Sequence, residues 1–145
     1  MKREAIYSAL FDKIKKIEGL ATTSRVLRHW DSVSPNEQPA LFMTQDGELP
    51  ISRRGLPTTW NLAVSFYLYC NAGNDSDAIP AQEINKYLDA IQTAIAPDRI
   101  TGVQSLDGLV RDVKFGDKIE TDEGLLGAQS VAIIPVIITL EAEEY

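Results

Sequence analysis

Thr58-Thr59-Trp60-Asn61-Leu62-Ala63-Val64-Ser65-Phe66-Tyr67-Leu68-Tyr69-Cys70-Asn71 is the stretch that decides the fold. Trp60, Leu62, Val64, Phe66, Leu68 and Cys70 alternate with Asn61, Ala63, Ser65, Tyr67, Tyr69 and Asn71. A period of two places successive side chains on opposite faces of a β-strand. One face of this strand is wholly apolar and must cover a core. Asn71-Ala72-Gly73-Asn74-Asp75 then breaks it.

Two helices flank this strand in sequence. Over residues 2–17, Ile6, Leu10, Ile14 and Ile17 recur at helical spacing. Lys13, Lys15 and Lys16 favour the C-terminal end of the helix dipole, and Gly19 stops the helix. The second helix is predicted from Pro80 to Ile95, with Ile84, Tyr87, Leu88, Ile91 and Ile95 as its stripe and Pro97 as its stop.

The remaining segments read as strands and turns. Thr22–Trp30 reads as a short strand, and residues 31–39 as a proline-punctuated loop or single helical turn. Ala40–Thr44 is strand-like. Gln45–Pro57, with two glycines, two prolines and Arg53-Arg54, reads as a long hairpin connection. Val103–Leu106 and Leu109–Ile119 read as strand material interrupted at Gly108 and Gly116. Residues 120–124 form an acidic turn, Ser130–Leu140 the last strand, and residues 141–145 an acidic tail. Helix, strands, helix, strands predicts a single α+β domain, a mainly antiparallel sheet with two helices packed on one face. A length of 145 residues suits one domain.

Val131-Ala132-Ile133-Ile134-Pro135-Val136-Ile137-Ile138 is apolar on both faces. Such a strand is covered on both sides. Pro135 cannot donate to a ladder, so it points to an edge strand or a bulge. Either loops fold over the second face, or another subunit does. Tyr67 and Tyr69 pose the same choice, between β-formers on a wet face and anchors of an interface. The candidate subunit or partner interface is therefore Tyr67, Tyr69, Val131, Ile133, Pro135 and Ile137.

Charge and chemistry narrow the function. The net charge of −7 argues against a surface for gripping nucleic acid. Residues 1–57 hold nine Lys/Arg and seven Asp/Glu, whereas residues 58–145 hold five and fourteen. Two such patches of opposite sign can meet between subunits. No run of about 18 apolar residues predicts a membrane helix, and the N-terminus lacks a signal-peptide h-region. The lone Cys70 fits folding in a reducing cytoplasm.

His29 could in principle join Asp31 with Ser24, Ser32 or Ser34, but no nucleophile elbow accompanies them. One His and one Cys far apart do not make a zinc site. The acids from Asp117 to Glu123 lack EF-hand spacing, and Gly124-Leu125-Leu126-Gly127 lacks the lysine of a phosphate loop. Arg25, Arg28, Arg53 and Arg54 could touch an anion, but no exposed aromatics are interleaved with them for a nucleic-acid surface. No catalytic residue, cofactor or metal is expected.

Several stretches carry a resemblance: Arg3–Phe11, Arg25–Trp30 (RVLRHW), Glu37–Phe42 (EQPALF), Gly55–Trp60 (GLPTTW), Gly102–Val110 (GVQSLDGLV) and Gly116–Gly124 (GDKIETDEG). In this order they span most of the chain. It resembles the tail-terminator (tail-completion, minor tail protein U-like) proteins of long-tailed phages and prophages. The resemblance implies an α/β sheet-plus-helix fold and a homo-hexameric ring. It implies a cap on the head-proximal end of the tail tube that ends tube polymerisation and meets the head–tail connector protein. The location implied is the virion tail, after synthesis in the host bacterium. A neck or connector protein of similar size is the neighbouring reading, and a small enzyme a more distant one.

On that reading Glu48, Arg53 and Arg54, in the Gln45–Pro57 connection, are candidates for docking on the tube protein. Glu120, Asp122, Glu123, Glu141, Glu143 and Glu144 are candidates for an acidic lumen that repels DNA phosphates.

Overall fold

The computed structural model describes residues 1–71, 73, 77–124 and 129–142. Ala72, Asn74 and Asp75 of the expected strand break, Leu125–Ala128, and Glu143 and Glu144 of the expected lumen lie outside the described residues.

The alternating stretch forms β3 (Thr58–Asn71), the middle strand of the sheet. It lies between β2 (Ala40–Ile51) and β6 (Gln129–Ala142), antiparallel to both. β1 (Thr22–Ser24) adds to β2 in parallel at one edge. β4 (Asp112–Phe115) and β5 (Glu120–Asp122) share the outer side of β6 at the other. The helices α1 (Arg3–Lys15) and α2 (Ala81–Ala94) lie on one face. Ile6, Leu10 and Ile14 of α1 and Ile84, Tyr87 and Ile91 of α2 pack on Leu62, Val64, Phe66 and Leu68. The expected α+β domain, mainly antiparallel with both helices on one face, is the observed one.

Gly19, in the turn after α1, has φ +97°, and a Cβ there would sit 2.6 Å from the Tyr87 hydroxyl. Gly19→Ala is expected to cost at least about 1–2 kcal/mol for the left-handed backbone alone. Urea unfolding measures it, and an unchanged midpoint would contradict the packing described.

Several boundaries differ from expectation. β2 continues seven residues past Thr44, so the connection shrinks to residues 52–57. Asp46-Gly47 falls within the expected connection, but the register shift between Gln45 and Gly47 makes it a β-bulge inside β2. Pro50 is tolerated because β1 pairs only Ala40–Phe42, which leaves the far half of β2 an edge. Thr22–Trp30 yields a strand of three residues only. Residues 103–111 form turns rather than a strand, because Leu106, Asp107 and Gly108 all have positive φ.

β6 is an interior strand, which corrects the edge reading of Pro135. A residue's N–H and C=O point to the same side of its strand. The Pro135 carbonyl accepts from the Gly116 amide at 2.9 Å, so its donor-less nitrogen also faces β4 and β5. β4 ends at Phe115 and β5 begins at Glu120, so Pro135 faces the break between them.

Candidate functional site

The register fixes what the second face of the sheet presents, because directly opposed residues share a face. At one end lie Ala40, Tyr69, Val131 and Asp122. Next come Phe42, Tyr67, Ile133 and Glu120, then Thr44, Ser65 and Pro135. Gly47, Ala63, Ile137 and Lys114 follow. Leu49, Asn61 and Thr139, then Ile51, Thr59 and Glu141, complete the face towards the hairpin tip.

The first end is covered by the chain itself. Two single-turn 3-10 helices, Trp30–Ser32 and Pro35–Glu37, lie over it. Ser34-Pro35-Asn36-Glu37 starts the second turn with a capping box, Pro35 supplying the preset φ. Trp30 and Val33 pack on Ala40, Phe42, Tyr69 and Val131. The Tyr69 hydroxyl donates to the Arg28 carbonyl at 2.8 Å. Gln38 Nε2 donates to Gln129 Oε1 at 2.7 Å, and Gln129 Nε2 to the Trp30 carbonyl at 3.1 Å. Tyr69 and Val131 are therefore core residues, 3% and 8% exposed, and are corrected as interface candidates. The apolar faces of Trp30 and Val33 fill the space a partner would need.

Arg28 fastens this cover by donating to both Glu37 carboxylate oxygens at 2.5 and 3.2 Å and to the Ser32 carbonyl at 2.6 Å. Arg28 and then Ser34 hold the Glu37 carboxyl at about 2, below the usual 4.5. A depressed folded value means a stabilisation fully present above about 4.5 and lost as pH falls towards about 2. The pair is exposed, so salt screens it. The Trp30 indole resonance is expected to move across that window before the sheet unfolds, and earlier in strong salt. A resonance that stays fixed until global unfolding would contradict this.

Among the described residues, no helix or turn lies over the rest of the second face. Tyr67, Ala63, Ile133, Pro135 and Ile137 are half-buried. Leu49 and Ile51 are 59% and 36% exposed and continue the apolar surface towards Arg53 and Arg54. Neither arginine makes an ion pair with a described residue. Gly116 lies directly under Ile137, where a Cβ would be 2.5 Å from Ile137 Cγ1. The Thr44 and Ser65 hydroxyls both donate to the Asp46 carboxylate in the bulge, holding an acidic group within this face between the rows of Tyr67 and Ala63.

Glu48 is not on the connection. It sits in β2 on the helix face, opposite Leu62. Its carboxylate accepts from Arg3 Nε at 2.7 Å and from the Tyr7 hydroxyl at 2.9 Å. Burial raises the Glu48 carboxyl, but these two donors outweigh it and hold it below its usual value. Burial, reinforced by Glu48, raises the Tyr7 hydroxyl well above its own. Glu48 ties α1 to β2.

The expected acidic patch is divided. Glu120 lies opposite Ile133, eight residues along β6 from Glu141, roughly 27 Å at about 3.3–3.4 Å per residue. Glu141 also pairs with Arg111 at 3.0 Å.

The chemical candidates assemble nothing reactive. His29 Nδ1 lies 2.6 Å from Asp31 Oδ1, and the Ser32 hydroxyl 3.3 Å from that same oxygen. The carboxylate thus stands between the other two, on the exposed surface. Arg25 is engaged with Glu4, Ser8 and Gln45, and Arg28 with Glu37. Burial pushes the Cys70 thiol up to about 12. Among the described residues no three His, Cys, Asp or Glu are grouped to hold a metal. No described helix is long and apolar enough to cross a membrane.

No family model matches the chain, and no curated protein does. Among solved structures, a chain of the virion of the native gene transfer agent (GTA) particle is similar in fold. The TM-score is 0.55 at 8% sequence identity, and the match covers 93% of this chain and 93% of that one.

Proposed function

We propose that this chain is a structural, non-enzymatic subunit of a phage-like particle, and within it the terminator of the tail. The observation that carries the reading is the fold shared with a virion chain over 93% of both lengths. The ordered sequence stretches that resemble tail terminators select the role among structural proteins. Copies form a ring, a hexamer as in the family it resembles, on the head-proximal end of the tube. The ring ends polymerisation and offers the head connector a surface.

The remaining part of the second face supports a docking role, because it carries several apolar side chains that no described element covers. Tyr67, Ile133, Pro135 and Ile137 run on through Leu49 and Ile51 to Arg53 and Arg54. We assign this continuous surface to the tail tube protein. Immunogold electron microscopy of particles carrying an epitope-tagged chain tests the position. Label at the head-proximal end of the tail is expected. Label along the tube or at its distal tip would contradict the proposal.

A further inference from the structure

We infer that successive copies of this chain join head to tail, the β1–α1 edge of one copy against the β4–β5 edge of the next. The inference deepens the ring reading above and rests on it. The sheet order puts β1 at one edge and β4 with β5 at the other. Residues 1–28, which supply α1 and β1, hold seven Lys/Arg and three Asp/Glu. Residues 112–124, which supply β4 and β5, hold two and five. A charge asymmetry along the chain thus becomes one across the width of the molecule. Lys2, Lys13 and Lys16 of α1 and its caps make no ion pair with a described residue, nor do Glu120 and Glu123 on the second edge. Opposite signs on different surfaces suit a heterologous contact, the kind that closes into rings. Self-complementary pairing would set like charges against each other.

The apolar features fall on the same two edges. Val26 and Leu27, directly after β1, are 74% and 41% exposed. They are held in place: the Val26 amide donates to the Ser24 hydroxyl at 2.9 Å, and Arg25 is tied to Glu4 and Gln45. A preset projection loses little freedom on docking. On the other edge a cavity of about 380 Å³ opens between the end of α2 and β4. Ile95, Pro97, Val113 and Phe115 give it apolar walls, and Asp112 and Lys114 stand beside them. An occupant from a second copy therefore brings its own aliphatic projection and the matching charge. The edges close the ring laterally, which leaves the uncovered sheet face free for an axial partner.

Two single variants test this, Val26→Cys and Lys114→Cys. Both positions are exposed, and the native Cys70 is buried. The full-length variants are treated with a short bis-maleimide at millimolar concentration. The mixture is expected to yield a covalent dimer that neither variant gives alone. A chain carrying both substitutions is expected to yield a ladder of multimers. No dimer from the mixture, or self-linking by either variant alone, would overturn the inference. Val26→Glu is expected to weaken self-association about tenfold or more by sedimentation, with unchanged circular dichroism. Association as tight as that of the unmodified chain would count against it. Tail assembly is scored separately in particles, so edge contacts without a terminator role, or the reverse, give distinguishable results.

Discussion

Phe66→Ala is expected to remove about 3–5 kcal/mol of unfolding free energy, measured by denaturant unfolding. Phe66 is fully buried at the centre of β3, opposite Met43 on β2 and Ile134 on β6. Hydrogen-bonded neighbours on both sides hold its backbone, so the sheet cannot collapse onto the gap. The cost is therefore the lost transfer energy of the ring plus most of the cavity. A domain of this kind has about 5–15 kcal/mol in total, so the variant stands close to unfolding. Tyr67→Ala, one residue on, removes a ring from the half-exposed second face. It is expected to cost only about 1 kcal/mol. Equal losses at the two positions would contradict the sidedness of the sheet.

Ile133→Lys and Ile137→Lys are expected to act the other way, sparing the fold and abolishing assembly. Both side chains are half-buried on the uncovered face, where a lysine can turn its ammonium to water. In a docked complex that ammonium would be stripped of water against an apolar partner. Loss of an interface anchor costs about 2 kcal/mol or more, a roughly 30-fold drop in affinity. In the ring proposed above, that loss would be multiplied across the copies. Complementation of a deletion strain, scored as finished particles, measures the effect, and circular dichroism checks the fold. Full complementation by either variant would contradict the docking assignment.

The strict alternation over residues 58–71 made the central strand and its core face legible in the sequence. The two helical stripes made both helices legible, because each pattern repeats over several turns. What escaped were features decided by contacts distant in sequence. Asp46-Gly47 is indistinguishable from a turn until β3 lies alongside and turns it into a bulge. Pro135 suggests an edge, and only the break between β4 and β5 lets it sit inside the sheet. Tyr69 and Val131 carry an interface-like composition, but Trp30 and Val33 cover them. The capping box at Ser34–Glu37 was the local signal that this loop is structured. Glu48 was misplaced for the same reason as β2 itself: its partners Arg3 and Tyr7 lie more than forty residues away.

The length of the tails made without this chain tests the central claim most directly. Deleting its gene and measuring tails by electron microscopy is expected to give tubes much longer than normal, without heads. Restoring the chain should return a single length. Tails of normal length that merely fail to join heads would contradict the terminator role and indicate a connector instead.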